Sequence, residues 1–258
     1  MHLSAGGQRL EFRIVEPVSA GARERTMLVL LHEGLGSVAM WKDFPEQVAA
    51  RTGHPVLVYS RYGYGRSSQL MEPRQVDYMH HEATTVLPEI LSQLEISDPL
   101  LIGHSDGASI AIIHAGSGNA VSGLILMAPH VFVEHESIDA IREAKRAFAA
   151  TDLSDKLARY HDHPQTMFRG WNDVWLHMDF RGWNIENFIS SISSPVLVIQ
   201  GKNDPYGTLE QVEAIESGAT VPVRTLVFPD CGHAPYIERN ADTIEAIEAF
   251  VRESGDTV

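Results

Sequence analysis

With 258 residues, 44% of them hydrophobic and 21% charged, the chain can form one large domain, or one domain carrying a sizeable insertion, with a full buried core. A formal charge of −14 at pH 7 excludes nucleic acid and anionic membrane surfaces as natural partners, because both reward basic patches, and leaves a small neutral or cationic molecule as the easier one. The single cysteine, Cys231, excludes an intrachain disulfide; with no basic-then-apolar leader at residues 1–8 and no run long enough to span a bilayer, a soluble cytoplasmic protein is the expectation.

Residues 1–16 read as a hairpin turning at Gly6-Gly7, with a second strand alternating through Leu10, Phe12 and Ile14, and a polar connector follows over residues 17–25. Met27-Leu28-Val29-Leu30-Leu31 is continuously apolar, the mark of a strand covered on both faces. It runs into the loop His32-Glu33-Gly34-Leu35-Gly36-Ser37, ahead of a helical pattern through Trp41, Phe44 and Val48. A second buried strand, Val56-Leu57-Val58-Tyr59, ends in Arg61-Tyr62-Gly63-Tyr64-Gly65-Arg66-Ser67, and a helix over about residues 80–94 precedes a third, Pro99-Leu100-Leu101-Ile102. Further strands lie at residues 123–129, 196–200 and 225–228, the last two each followed by a helical pattern. Strands alternating with helices predict an α/β fold, a mostly parallel central sheet with helices on both faces and ligands at the carboxyl ends of the strands.

Residues 131–193 carry no strand signal. They show short amphipathic helices through Ile138, Ile141 and Phe148 after a Ser137 cap, then Leu153, Leu157 and Tyr160, then Met167, Trp171, Val174 and Met178. The pattern predicts a core of residues 1–130 and 194–258 with a helical cap, or lid, inserted at 131–193. Its aromatic stripes read first as packing, with some of them, Trp171 and Trp175 among them, lining the cleft beneath.

Gly103-His104-Ser105-Asp106-Gly107 lies between the third buried strand and the small-residue helix pattern Ala108-Ser109-Ile110-Ala111-Ile112-Ile113. A strand that reverses into a helix within one residue strains the serine backbone, and glycines two residues away on either side remove the side chains that would collide there. The helix start beside the hydroxyl aims free N–H groups and a positive dipole end at any oxyanion formed there. A serine hydroxyl needs a base to take its proton, and the base needs a carboxylate to fix its tautomer. His233, in Gly232-His233-Ala234-Pro235 after the last strand, and Asp204, in Asn203-Asp204-Pro205 after the strand ending at Gln200, supply them in the order Ser, Asp, His.

With these four ordered motifs, the Gly63-Tyr64-Gly65-Arg66-Ser67 turn included, the chain resembles an α/β-hydrolase of the capped esterase, lipase and C–C hydrolase type over nearly its whole length. The resemblance implies catalytic Ser105, Asp204 and His233, an oxyanion hole made by the backbone N–H groups of Gly34 and Asp106, and neither cofactor nor metal. Two departures stand out. Glu33 replaces the first glycine usual after the histidine, which makes it the alternative donor, and Asp106 stands where relatives often carry an apolar residue, disfavouring an anionic group beside the hole. Among other candidates for the acid, Glu134 is the reserve and Asp230 reads as a turn former. His161 and His163 flank Asp162 and read as solvated rather than metal-binding, His104 and His114 as structural, and Cys231 as buried filler. Glu33, His130, Trp171 and Trp175 are candidate pocket residues. The implied activity is hydrolysis of a small apolar or neutral ester through an acyl-enzyme. Meta-cleavage C–C hydrolase, thioesterase, lactonase and perhydrolase activities, or a hydrolase-fold binding protein, are the alternatives, and the oligomeric state is left open.

Overall fold

Apolar runs without polar interruption are satisfied only between two helical layers, and each becomes a strand of one eight-stranded sheet in the computed structural model, which describes residues 1–17 and 25–255. The elements follow in the order β1 (His2–Ala5), β2 (Gln8–Val15), β3 (Leu28–Leu31), α1 (Phe44–Thr52), β4 (Val56–Tyr59), α2 (Tyr78–His81), a π-helical turn (Glu82–Val86) and α3 (Leu87–Gln93). Next come β5 (Leu100–His104), α4 (Asp106–Gly116), β6 (Gly123–Met127), α5 (His135–Ala150), α6 (Leu153–Leu157), α7 (Pro164–Trp175), a 3-10 turn (Met178–Gly182) and α8 (Glu186–Ile189). The chain closes with β7 (Val196–Gly201), α9 (Glu210–Gly218), β8 (Val223–Phe228), α10 (Pro235–Glu238) and α11 (Asn240–Gly255). The sheet order is β1-β2-β4-β3-β5-β6-β7-β8, with β2 antiparallel to both its neighbours and every other pair parallel. The polar connector expected at 17–25 falls, apart from Pro17 and Arg25, outside the described residues.

Strand side chains alternate between faces, so Leu28, Leu30, Ile102, Ile125 and Leu197 pack with Phe44, Val48, Ile247 and Phe250 on one side. Val29, Leu31, Leu101, Leu124 and Val198 pack on the other with Ile90, Ile110, Ile113, Val212 and Ile189. The outer strands β1, β2 and β8 are largely half-buried or exposed, whereas the strands between them are fully buried. Residues 131–193 hold helices joined by turns and loops, with one antiparallel bridge, Phe132 to Asn184. They share the second core through Met167, Phe168, Trp171 and Trp175, and Phe148 of α5 stacks on Phe168 of α7 with ring centroids 3.9 Å apart.

Ser137 does not cap α5. The helix begins earlier, at His135 after an extended Glu134, and Ser137 is buried in its first turn with its hydroxyl donating to the Tyr206 carbonyl at 2.5 Å. Glu134 is held by groups far along the chain, described below, and that anchorage sets where the helix starts.

Candidate active site

Ser105 sits between β5 and α4 with φ 54° and ψ −119°, a conformation that costs a non-glycine residue and that the surroundings must enforce. Its N–H donates to the Met127 carbonyl at 2.9 Å. A Cβ on Gly103 would stand 2.4 Å from the Gly107 carbonyl oxygen, and one on Gly107 would stand 2.0 Å from that of Leu31, so both glycines are steric requirements of the turn. The serine itself is only 6% exposed.

Asp204 and His233 follow the ends of the neighbouring strands β7 and β8. Their loops touch backbone to backbone, since a Cβ on Gly201 would lie 2.0 Å from the Gly232 carbonyl oxygen. His233 Nδ1 is 2.9 and 2.8 Å from the two Asp204 oxygens, so Nδ1 carries the proton and Nε2 is left with its lone pair. Asp204 also accepts the Tyr206 N–H at 2.8 Å and the Gln200 side-chain amide at 3.0 Å. Burial pushes the Asp204 carboxyl up, but the His233 hydrogen bond and charge, with the Tyr206 N–H, hold it below the usual range. Glu238 braces the histidine loop by accepting the N–H groups of Gly232 (2.7 Å) and Ala234 (3.1 Å), and His104 Nε2 donates to the His233 carbonyl at 2.6 Å. The Tyr206 ring lies 4.6 Å from that of His233. Gln200, Tyr206 and Glu238 escaped the sequence reading. Only Tyr206 had a local signal, the N–H two residues after an aspartate that an Asp side chain commonly caps.

On the other side of Ser105 the loop after β3 is fixed by His32, which donates from Nδ1 to the Glu33 carbonyl (2.7 Å) and accepts the Arg61 N–H at Nε2 (3.1 Å). Burial, then the Arg61 charge, holds His32 well below its ordinary pKa. Glu33 turns back to within 3.6 Å of His104 Nδ1. Burial favours its protonated form, yet His104 and Arg61 outweigh that and hold its carboxyl below the usual range. Asp106 is buried with three neighbours for its carboxylate: the Tyr78 hydroxyl (2.6 Å), the Trp175 indole N–H (3.3 Å) and Arg61 Nη2 (3.6 Å). Burial works against the Arg61 charge, and Tyr64, Asp106, Tyr78 and Glu82 more than offset it, so its pKa is raised. The Asp106 side chain, expected to disfavour an anionic group beside the hole, is thus already partnered from within the protein.

Trp171 and Trp175, both on α7, are buried over these loops. A Cβ on Gly34 would stand 2.0 Å from the Trp171 indole nitrogen, so only glycine fits beneath that ring. Among the described residues no acceptor reaches the N–H of Gly34 or of Asp106. His130 is buried with its ring 5.2 Å from Trp175 and 5.9 Å from His233; burial, then His233, pushes its pKa down to about 4. Clefts of about 310 and 260 Å³ flank Arg74, and neither is lined by Ser105 or His233.

The other candidates fall elsewhere. Glu134 accepts the Thr208 N–H (2.9 Å), the Thr208 hydroxyl (2.5 Å) and the Gln211 side-chain amide (2.7 Å), which makes it the anchor of α9. Asp230 is exposed. His161 is not solvated: it is buried, accepting the Gly65 N–H and donating to the Leu35 carbonyl, both at 2.9 Å, because its backbone closes onto the core loops there through Asp162 N–H to Gly65. His163 is exposed, and no group of three or more metal-ligating side chains occurs among the described residues. His114 is buried and donates to the Ala83 carbonyl at 2.8 Å. Cys231 is a buried free thiol pushed up to about 11 by burial.

Comparison with known proteins agrees with this fold. A proline iminopeptidase of Lactobacillus delbrueckii subsp. bulgaricus is 24% identical over 270 residues, covering 89% of this chain and 91% of the relative. The crystal structure of proline iminopeptidase from Mycobacterium smegmatis superposes with a TM-score of 0.77 at 17% identity over 98% of each chain. A structure from a study of carboxylesterases of the thaumarchaeon Nitrososphaera gargenis gives 0.78 at 15% identity, with all of both chains covered. The model of the alpha/beta hydrolase family matches residues 28–246, from the first residue of β3 into α11. The chain belongs to the alpha/beta hydrolase family.

Proposed function

We propose that this chain is a serine hydrolase that cleaves carboxylic esters of small apolar or neutral acyl groups through an acyl-enzyme. The observation that carries this reading is the His233–Asp204 pair, bonded at 2.8–2.9 Å, at the same edge of the sheet as a serine held at positive φ. Ser105 Oγ attacks the ester carbonyl and its proton passes to His233 Nε2, while Asp204 keeps the Nδ1–H tautomer and stabilises the imidazolium. The N–H groups of Gly34 and Asp106 receive the oxyanion, each such donor typically being worth about two to three orders of magnitude in rate. Collapse of the tetrahedral intermediate expels the alcohol, which takes the proton from His233. Water, deprotonated by the same histidine, then frees the acid.

In this reading residues 131–193 act as a cap that moves to admit substrate, since α7 lays Trp171 and Trp175 over the Ser105 loops. The aromatic cover and the internally paired Asp106 favour an acyl group without charge. A lone buried thiol suits a reducing, cytoplasmic setting, and among the described residues no helix is long and apolar enough to cross a membrane. The relatives named proline iminopeptidase favour one second reading, cleavage of an N-terminal prolyl amide by the same triad.

Fluorophosphonate labelling tests the first step. Wild-type protein is expected to be captured covalently at Ser105, Ser105→Ala not at all, and His233→Ala far more slowly; a folded wild type that resists labelling sinks the serine-hydrolase reading. p-Nitrophenyl esters of increasing acyl length, run beside proline p-nitroanilide, a thioester and a vinylogous diketone, then separate the bond classes. Turnover of the prolyl amide alone would replace the esterase reading with the second.

A further inference from the structure

Arg61 lies two residues past β4 and is 2% exposed. One of its nitrogens, Nη2, is where two loops meet: it donates to the Glu33 carbonyl at 2.9 Å and stands 3.6 Å from Asp106 Oδ2. The Glu33 carbonyl and the Gly34 N–H are the two ends of one planar trans peptide and point in opposite directions, so whatever holds the carbonyl also aims the N–H. Two donors hold it, Arg61 Nη2 and His32 Nδ1, and the His32 ring is itself set by the Arg61 backbone N–H. On its other side the guanidinium faces the side chain of Asp106, the residue whose backbone N–H opens α4 beside Ser105. The guanidinium rests over the Tyr64 ring, 5.0 Å from its centroid, while Nε and Nη1 are buried without a hydrogen-bond partner. A buried cation with idle donors is costly to fold around, and among the contacts it does make are the Glu33–Gly34 peptide and Asp106, which are proposed above to supply the oxyanion donors.

We propose that Arg61 is the positioning residue of the oxyanion hole, orienting the Glu33–Gly34 peptide and the start of α4 relative to each other and polarising that peptide so that the Gly34 N–H becomes a stronger donor. The proposal rests on the serine-hydrolase reading above. It differs from mere packing in what it does to the reaction, because a donor that strengthens only against a developing negative charge acts on the transition state and leaves ground-state binding alone.

The test pairs Arg61→Lys with the charge-matched double variant Arg61→Met/Asp106→Asn, which removes the guanidinium and the carboxylate facing it together, and checks both for cooperative thermal unfolding. The double variant is expected to lose roughly 10- to 100-fold in kcat on p-nitrophenyl acetate, with KM within about threefold of wild type. Binding of a trifluoromethyl ketone, whose hydrate-free carbonyl adds Ser105 to give an anionic hemiketal, should weaken by the same factor. Arg61→Lys should fall between, keeping the charge and losing the guanidinium fork. Unchanged kcat and ketone affinity in both variants overturns the proposal, as does a loss expressed in KM alone, or a fall in kcat without a matching loss of ketone affinity. If the double variant does not fold, Arg61→Lys decides by the same comparison. Failure of the underlying reading is visible separately: a wild-type protein that neither binds the ketone nor takes the fluorophosphonate label has no serine nucleophile for Arg61 to serve.

Discussion

Asp204→Asn is expected to lower kcat by about four orders of magnitude with a loss of stability of only about 1–2 kcal/mol. The carboxylate accepts from His233 Nδ1 through both oxygens, and that acceptance leaves the Nε2 lone pair for the serine proton. An asparagine amide fits the same space, and its single oxygen can keep one of the two donors that Asp204 now takes on separate oxygens, the Tyr206 N–H on Oδ1 and the Gln200 amide on Oδ2. Its NH2 group, however, faces His233 as a donor, so the imidazole is held with its lone pair on Nδ1 and its proton on Nε2. In that tautomer the ring cannot act as a base toward Ser105. Glu134→Gln is the companion measurement. Its carboxylate is occupied by Thr208 and Gln211, so the expected result is kcat within about threefold of wild type and a loss of stability of about 1–2 kcal/mol from the mismatched hydrogen bonds. Steady-state kinetics with thermal melts on the two variants settles which carboxylate serves the histidine. A four-order loss in Glu134→Gln with Asp204→Asn active would reverse the assignment.

The elbow, the acid loop and the histidine loop were legible because their demands are local. Gly103 is a glycine for a steric reason within the strand-to-helix reversal, against Gly107 and Ala108, while Gly107, which answers to the Leu31 carbonyl of the neighbouring strand, is marked by its place two residues after Ser105; Asp204 and His233 each follow on an apolar run. What surrounds them was not legible, because it arrives from far along the chain. Asp106 meets Tyr78 and Trp175 across sequence separations of 28 and 69 residues. Arg61 read only as part of a glycine-bearing turn, and nothing local says that it would be buried against the loop after β3. Glu134 belongs to the same class: Ser137 had the composition of a helix cap, but the hydrogen bonds from Thr208 and Gln211, 74 and 77 residues on, fix the chain at Glu134 and start the helix there. His161 sits in a charged stretch and is nonetheless buried, since its two nitrogens complete the backbone of Gly65 and Leu35. Periodicity reports which residues face a core. It carries no information on which polar group closes on which distant backbone, and most of what surrounds Ser105, Asp204 and His233 is built that way.

Those same buried histidines make the fold sensitive to acid. Urea midpoints are expected to be nearly flat from pH 8 to 7 and to fall steeply as pH drops from about 6.5 toward 4. His32, His114, His130 and His161 all have folded pKa values lowered by burial, that of His130 to about 4. The unfolded chain takes up these protons near pH 6.5 while the folded one refuses them, so in that window the unfolded state binds more protons and stability is lost as pH falls. The stability these groups confer is complete above the unfolded value, and each ceases to add to the loss below its own folded value. One fully buried histidine contributes a slope of up to about 1.4 kcal/mol per pH unit, which across the His130 window comes to about 3 kcal/mol. Glu82 acts in the opposite sense, because burial raises its pKa and the folded state holds a proton that the unfolded state releases. One raised carboxyl stands against these four imidazoles, a fifth at His80, and the lowered carboxyls of Glu33 and Asp204, so the balance lies toward acid unfolding, and several kcal/mol is a large share of the roughly 5–15 kcal/mol typical of a folded domain. His114→Gln isolates a single term away from Ser105: the amide can still donate to the Ala83 carbonyl, and the slope below pH 6.5 should drop by up to about 1.4 kcal/mol per unit. A wild-type midpoint that stays constant from pH 8 to 4.5 would mean that these histidines are reached by protons in the folded state, and that the packing over His130 and His161 opens at little cost.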